Sequence, residues 1–301
     1  DLLLAAHRAA GVESVLALTG DKPAVSKGVF ELESIGLLDK ISRINNDAYL
    51  SAKPENLAAA KLFYAGAAVS PFKYNEESQM QQYFKMEKKV ARGAKFLITQ
   101  VGWDWKKSVE LMRYLKENNI NVPVLGNVYL LSTITPAPRL MHDIKLPGCF
   151  VSDELLAKVY SESLNEHIER AAQQIAMYKS IGAAGADVGG VHDYEMFIKI
   201  LKRAAEIGSD WEKYKDNLCW PARRPFYLYD DAGNKTRLSD YPKTNAHRFF
   251  NFMHWSILDP EHKGFHAFKK VMKFFGVDKN KGFFYKSFFM LEKPMKYCLF
   301  D

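Results

Sequence analysis

The sequence predicts an α/β protein whose parallel strands make up part of a (β/α)8 barrel, followed by a small, basic, aromatic α+β domain. Three observations carry that expectation. Short, almost wholly apolar runs closed by Gly, Pro or a polar residue alternate with longer amphipathic stretches, which is the pattern of βαβ units and not of an antiparallel sandwich. No G-x-G-x-x-G follows the first apolar run, which argues against a dinucleotide-binding open sheet. Five such units are visible where a closed barrel needs eight, so the expectation is about five of eight units, with the remainder outside the 301 residues.

The units follow in order. Ser14–Thr19 (SVLALT), closed by Gly20-Asp21, reads as a strand buried on both faces. A helical stretch from Val29 to Arg43 places Phe30, Ile35, Leu37, Leu38 and Ile41 at three- and four-residue spacings. Phe63–Val69 is the second strand, ended by Ser70-Pro71. Asn75 is placed to cap an amphipathic helix running to Arg92, with Gly93 at its C-terminal end. Phe96–Gln100 is the third strand, followed by a helix over Lys106–Glu117. Pro123–Leu130 is the fourth, and one helical stretch from Asp153 to Ile181 leads to the fifth, Ala186–Val191. Tyr194–Ile207 closes the series as a helix.

Composition divides the chain near Gly208-Ser209-Asp210. The whole carries 42 Lys+Arg against 35 Asp+Glu, a net +7, with 48% hydrophobic and 26% charged residues. Residues 210–301 hold 17 Lys/Arg and 11 Asp/Glu, or +6, and 22 of the 40 aromatic residues. Residues 1–209 are close to neutral. The two expected domains are therefore a partial barrel, 1–209, and a partial C-terminal extension, 210–301. The averages exclude a disordered or collagen-like chain, and no apolar run reaches the roughly 18 residues of a membrane span. Cys149, Cys219 and Cys298 are too few and too far apart for a disulfide framework. With no signal peptide at Asp1–Arg8, the expected setting is a reducing, cytoplasmic one. The absence of an initiator Met adds to the expectation of a chain that starts partway into a longer protein.

A barrel enzyme works at the C-terminal ends of its strands. Those ends carry Thr19-Gly20-Asp21, Ser70-Pro71, Thr99-Gln100, Asn127-Val128-Tyr129 and His192-Asp193. Asp21 either caps a turn or accepts hydrogen bonds from a ligand or holds a cationic centre. Gln100 either satisfies its own strand end or points a neutral amide into the barrel mouth. His192-Asp193 is an acid–base pair or a structural one.

The residues Ala10-Gly11-Val12-Glu13-Ser14-Val15-Leu16-Ala17-Leu18-Thr19-Gly20-Asp21 resemble the methylenetetrahydrofolate reductase family, in which a strand ends in a Leu-Arg/Thr-Gly-Asp turn. Gly93-Ala94-Lys95-Phe96-Leu97-Ile98-Thr99-Gln100 is similar to the family's GAxFxITQ strand. Pro123–Val128 and Gly182–Val191 fall where its later strands belong, so the resemblance covers residues 3–207. It implies a flavoenzyme of one-carbon and methionine metabolism. NAD(P)H reduces FAD, and the flavin reduces 5,10-methylenetetrahydrofolate to 5-methyltetrahydrofolate. It further implies that Thr19, Gly20 and Asp21 form the flavin turn, with Asp21 also facing the folate as candidate catalytic residue. Phe30 lies near the cofactor, Lys89 reaches its phosphates, and Gln100 hydrogen-bonds the pterin.

The sequence departs from the family at three places. Its Tyr-Pro-x-x-His stretch reads Ser70-Pro71-Phe72-Lys73-Tyr74 here, leaving Ser70 and Tyr74 as the flavin's hydrogen-bonding residues. No arginine follows the last strand. The family's general acid, a glutamate on its first strand, has no counterpart in the 301 residues. General acids contribute 10²–10⁴-fold, so little turnover is expected of this chain alone. A pterin-binding barrel in methyl transfer, or a non-catalytic partner subunit, is the alternative.

In the basic segment, Phe274-Phe275, Phe283-Phe284 and Phe288-Phe289 read as a small core with a solvated basic rim, not as a nucleic-acid groove. Gly264 between His262 and His266 works against a helical metal pair, so no metal site is expected. The segment resembles the extension of some bacterial members of the family, in which a cysteine cluster follows; here Cys298 stands alone three residues from Asp301. The expected partners are thus a folate, FAD and NAD(P)H, and either a second copy or a partner subunit, without nucleic acid or membrane.

Overall fold

The computed structural model describes residues 2–20, 32–51, 62–221, 225–236, 252, 256 and 263–274. The chain forms two compact units, the first made of Asp1–Tyr74 and Met86–Tyr227, the second of Asn75–Lys85 and Leu228–Asp301.

The first unit is a curled, fully parallel sheet in the order β1-β2-β3-β4-β5. The strands are β1 (Ser14–Ala17), β2 (Tyr64–Val69), β3 (Phe96–Thr99), β4 (Val124–Tyr129) and β5 (Gly185–Gly189). Sequential neighbours in one parallel sheet, each joined by a helical crossover, give part of a (β/α)8 barrel. The helices are α1 (Leu2–Ala9), α2 (Ser34–Ser51), α3 (Glu76–Ala91), α4 (Trp105–Glu117), α5 (Ala137–His142), α6 (Asp153–Ser161), α7 (Leu164–Ser180) and α8 (Tyr194–Ile207). A 3-10 helix, Gly208–Leu218, runs on directly from α8.

Side chains alternate across each strand, and the outer, helix-facing set makes the core. Ala65, Ala67, Val69, Leu97, Val124 and Val128 are buried, as are Ile168, Ala172 and Met177 of α7 and Ile200 of α8. Gly126 belongs to this outer set because the Tyr178 ring lies across it: a Cβ there would stand 2.2 Å from the ring. The compositional change near Gly208 coincides with the change from α- to 3-10 helix. Packing of the first unit continues past it, with Trp211 and Leu218 in the core beside Ile207 and the Trp105 and Trp211 rings meeting edge-on at 5.7 Å.

Three expected elements come out differently. The stretch Asp153–Ile181 is two helices, because Glu162 turns to extended backbone (φ −92°, ψ 154°). Ser163-Leu164-Asn165-Glu166 then starts α7: the Glu166 carboxylate accepts from the Ser163 N–H at 2.7 Å. That is half of a capping box, a signal that an apolar count passes over. The helix expected over 29–43 is α2, Ser34–Ser51, its first predicted residues, Phe30 among them, lying outside the described residues. The first strand is shorter than predicted, since Leu18 and Thr19 leave the sheet. Two short helices, α1 and α5, carry no strong sequence signal. Asn75 caps α3 as expected, its side-chain oxygen accepting from the Ser78 N–H at 2.9 Å.

In the second unit, Leu228–Thr236 folds back through an antiparallel bridge between Tyr229 and Lys235. The Asp230 carboxylate accepts from the Asn234 N–H at 2.7 Å, which holds that carboxyl below its ordinary range. Further on, α9 (Phe265–Phe274) is a single helix. His262, Cys298 and the aromatic pairs beyond Phe274 lie outside the described residues; Phe274 itself is 85% exposed.

Candidate functional site

The inner face of the curled sheet carries the other half of the alternation. From the register, Leu16, Tyr64, Gly66, Phe96, Ile98, Leu125 and Gly185 share it. Tyr64 and Phe96 stack there at 5.5 Å with their planes 8° apart. Leu16 and Tyr64 are 38% and 47% exposed, so this face is apolar and open at its lower level.

One level nearer the C-terminal ends the character changes. Val69 pairs with Thr99, which sets Ser70 beside Gln100. Ile98 pairs with Leu125 and the Asn127 N–H donates to Thr99 Oγ1 at 2.8 Å, which sets Gln100 beside Asn127. Asn127 pairs with Asp187, and its Nδ2 donates to the Asp187 carboxylate at 3.4 Å. Ser70, Gln100, Asn127 and Asp187 thus form one polar row over an apolar one, across four adjacent strands spaced about 4.8 Å apart.

The sequence-predicted residues fall as follows. Thr19 is exposed after β1, and its Oγ1 accepts from the N–H of Ser34 at 3.1 Å, tying the strand end to the start of α2. Gly20 follows with a φ of +77°, and no described residue comes within 4 Å of a Cβ placed there. Asp21 and Phe30 lie outside the described residues. Ser70 Oγ is buried with no hydrogen-bond partner among the described residues. Tyr74 is half-buried, and its carbonyl accepts from the Phe226 N–H at 2.9 Å. Lys89, on the last turn of α3, donates to the Ala68 carbonyl at 2.7 Å, beside the end of β2. Gln100 Oε1 accepts from the next residue's N–H at 2.8 Å and meets the Cys149 thiol at 3.6 Å. Gly148, at φ +79°, admits the Gln100 amide where a Cβ would stand 2.6 Å from Nε2. The structure therefore brings Ser70 and Gln100 into one row and sets Lys89 beside it.

His192-Asp193 resolves as a helix start. Asp193 Oδ1 accepts from the Glu195 and Met196 N–H groups at 2.8 and 3.4 Å, and His192 is exposed. Asp187 went unrecognised in the sequence, because Ala-Asp-Val-Gly-Gly reads as an ordinary strand until its register is known.

At the start of α4, after the loop that follows β3, lies a second group of ionisable residues. Asp104 caps α4, Tyr227 donates to it at 2.9 Å, and Lys107 reaches Glu110 and the Phe226 carbonyl. Burial raises the Asp104 carboxyl and lowers the Lys107 ammonium. A cavity of about 30 Å³ adjoins them, walled by Phe72, Trp103, Phe150 and Trp220, room for a water or two. Among the described residues no group of three His, Cys, Asp or Glu stands together to hold a metal ion. No described helix is long and apolar enough to cross a membrane.

A family model described as methylenetetrahydrofolate reductase matches residues 1–207. No curated protein sequence matches the chain. Among solved structures, the chain is similar to an uncharacterized protein from Clostridium thermocellum that binds two copies of 5-methyl-5,6,7,8-tetrahydrofolic acid. The identity is 16% and the TM-score 0.35, over 48% of this chain and 53% of that one, so the match spans about half of each.

Proposed function

The chain belongs to the methylenetetrahydrofolate reductase family, and from that premise we propose that its inner face binds a reduced folate. There, with FAD and NAD(P)H, it would serve the reduction of 5,10-methylenetetrahydrofolate to 5-methyltetrahydrofolate. The observation that carries this reading is the polar row Ser70, Gln100, Asn127 and Asp187 at the C-terminal ends of four adjacent parallel strands.

In this reading Gln100 offers its amide to the pterin, and Asp21 faces both folate and cofactor. The buried hydroxyl of Ser70, without a partner among the described residues, fits a hydrogen-bonding partner on the flavin, and the positive φ of Gly20 fits a tight turn against it. Thr19 fixes the turn through Ser34, while Phe30 and Tyr74 line the cofactor. Lys89, which donates to the Ala68 carbonyl beside the end of β2, supplies the cation for the phosphates. When bound, FAD supplies the hydride relay; the chain supplies position, hydrogen bonds and the exclusion of water.

The test is equilibrium titration of the 301-residue chain with FAD and, separately, with 5-methyltetrahydrofolate. Micromolar binding of both is expected, and a protein that binds neither overturns the reading. The Ser70–Tyr74 stretch, in place of Tyr-Pro-x-x-His, favours a second one, a pterin-binding barrel in methyl transfer or a non-catalytic partner subunit. Folate binding without any FAD binding would select it.

A further inference from the structure

The inner face of β5 presents a single side chain. Gly185, Asp187 and Gly189 alternate onto it, and both glycines are covered from β4. A Cβ at Gly185 would stand 3.1 Å from Leu125 Cδ2, and one at Gly189 would stand 3.3 Å from the Tyr129 ring. The ring continues over Gly190, where a Cβ would stand 2.9 Å away. Asp187 is left exposed between Leu125 and Tyr129. Among the described residues its one hydrogen-bond partner is the Asn127 amide, at 3.4 Å.

Such a carboxylate is unusual in two respects. It sits mid-strand, where it caps no helix and closes no turn, and its neighbour on the row is an amide in place of a cation. A carboxylate presents two acceptor oxygens that match a pair of parallel N–H donors. The amide beside it adds an acceptor and a donor of its own, and the Tyr129 ring adds a flat wall. The set is complementary to a planar heterocycle with an amidine-like edge, two adjacent N–H donors followed by a carbonyl.

We infer that Asp187, positioned by Asn127, is a specificity-determining residue that reads the 2-amino and ring N–H edge of a 2-amino-4-oxopteridine laid along the polar row. This rests on the folate reading above and adds to it the residue that distinguishes a pterin from other flat rings. Gln100 lies two strands away, about 10 Å, so a ligand lying across Asn127 meets Asp187 at one end and Gln100 toward the other.

The experiment compares the full chain with its Asp187→Asn variant, each titrated with 5-methyltetrahydrofolate and with the 2-desamino analogue, far-ultraviolet circular dichroism confirming that both are folded. Wild type should bind the parent at least about tenfold more tightly than the analogue, as expected for a charge-assisted pair. Asp187→Asn should lose that discrimination, weakening the parent at least about tenfold and the analogue little. Equal binding of the parent by both proteins, or equal weakening of both compounds, overturns the inference while leaving folate binding intact. Absence of any folate binding by wild type removes the folate reading, and this inference with it. Asp187→Glu, which keeps the charge, should retain part of the discrimination.

Discussion

The Tyr227 hydroxyl donates to the Asp104 carboxylate at 2.9 Å, joining residues 123 positions apart. Asp104 is already committed, since its other oxygen accepts from the Lys106 N–H at 3.1 Å to start α4. One turn further, the Lys107 ammonium meets the Phe226 carbonyl. The segment Phe226–Tyr227 is thereby pinned across the start of α4. Burial and the neighbouring carboxylate push the Tyr227 phenol well above its ordinary range, so it stays a donor at neutral pH.

Removing that donor leaves a buried carboxylate short of a partner. Tyr227→Phe should lower unfolding free energy by about 1.5–3 kcal/mol, the range for hydrogen bonds to charged groups. Urea denaturation measures it. An unchanged midpoint would mean that water replaces the phenol without loss.

The same carboxyl gives the protein a pH dependence of definite sign. Burial outweighs the Tyr227 hydrogen bond and the Lys107 charge, raising Asp104 above 3.8. The folded protein therefore keeps this proton to higher pH than the unfolded chain does. The group's contribution is full below 3.8 and declines as pH rises through the folded value. Asp104→Asn abolishes that decline, so its unfolding free energy should gain on wild type as pH is raised above 3.8. Parallel stability curves for the two proteins would contradict it.

Close packing at β4 supplies a third test. Tyr178 is fully buried, its hydroxyl 3.3 Å from Ser108 Oγ and 3.4 Å from Thr99 Oγ1. The ring has little room to retreat from a methyl group on residue 126. Gly126→Ala should lower stability by about 1–3 kcal/mol, the usual cost of overpacking. A thermal midpoint equal to that of wild type would show that the ring yields.

Ser70 separates stability from binding. Its buried hydroxyl has no partner among the described residues, so Ser70→Ala should leave the fold as stable or raise it by about 1 kcal/mol. The same change should weaken FAD binding if that hydroxyl serves the flavin. Stability and FAD affinity falling together would assign Ser70 to the scaffold instead.

His192 and Asp193 test whether a pair in sequence is a pair in chemistry. Asp193→Ala removes the N-cap of α8 and should cost about 0.5–2 kcal/mol. His192→Ala should leave both stability and folate affinity unchanged. Loss of folate affinity on replacing His192 would restore the acid–base reading.

Much of the chain was legible before folding. Closely spaced apolar runs and their polar terminators located all five strands, because a strand covered by helices must be apolar over its length and must end where water begins. Asn75 and the Tyr194–Ile207 helix were readable for a similar reason: capping and helical amphipathicity are satisfied within a few residues. The break at Glu162–Ser163 was overlooked because apolar spacing continues through it, while a local capping pattern alone interrupts it.

The sequence by itself determined the order of the five strands, their parallel sheet, and the strand end on which Gln100 stands. Only the tertiary structure decided which side chains share a face. Asp187 joins Ser70, Gln100 and Asn127 through a register set between strands far apart in the chain, and Asp104 meets Tyr227 across 123 positions. Hydrophobic pattern reports what each segment buries, a property of neighbours in sequence. Which polar groups converge depends on strand register and on the curl of the sheet, and those are fixed only when the segments pack together.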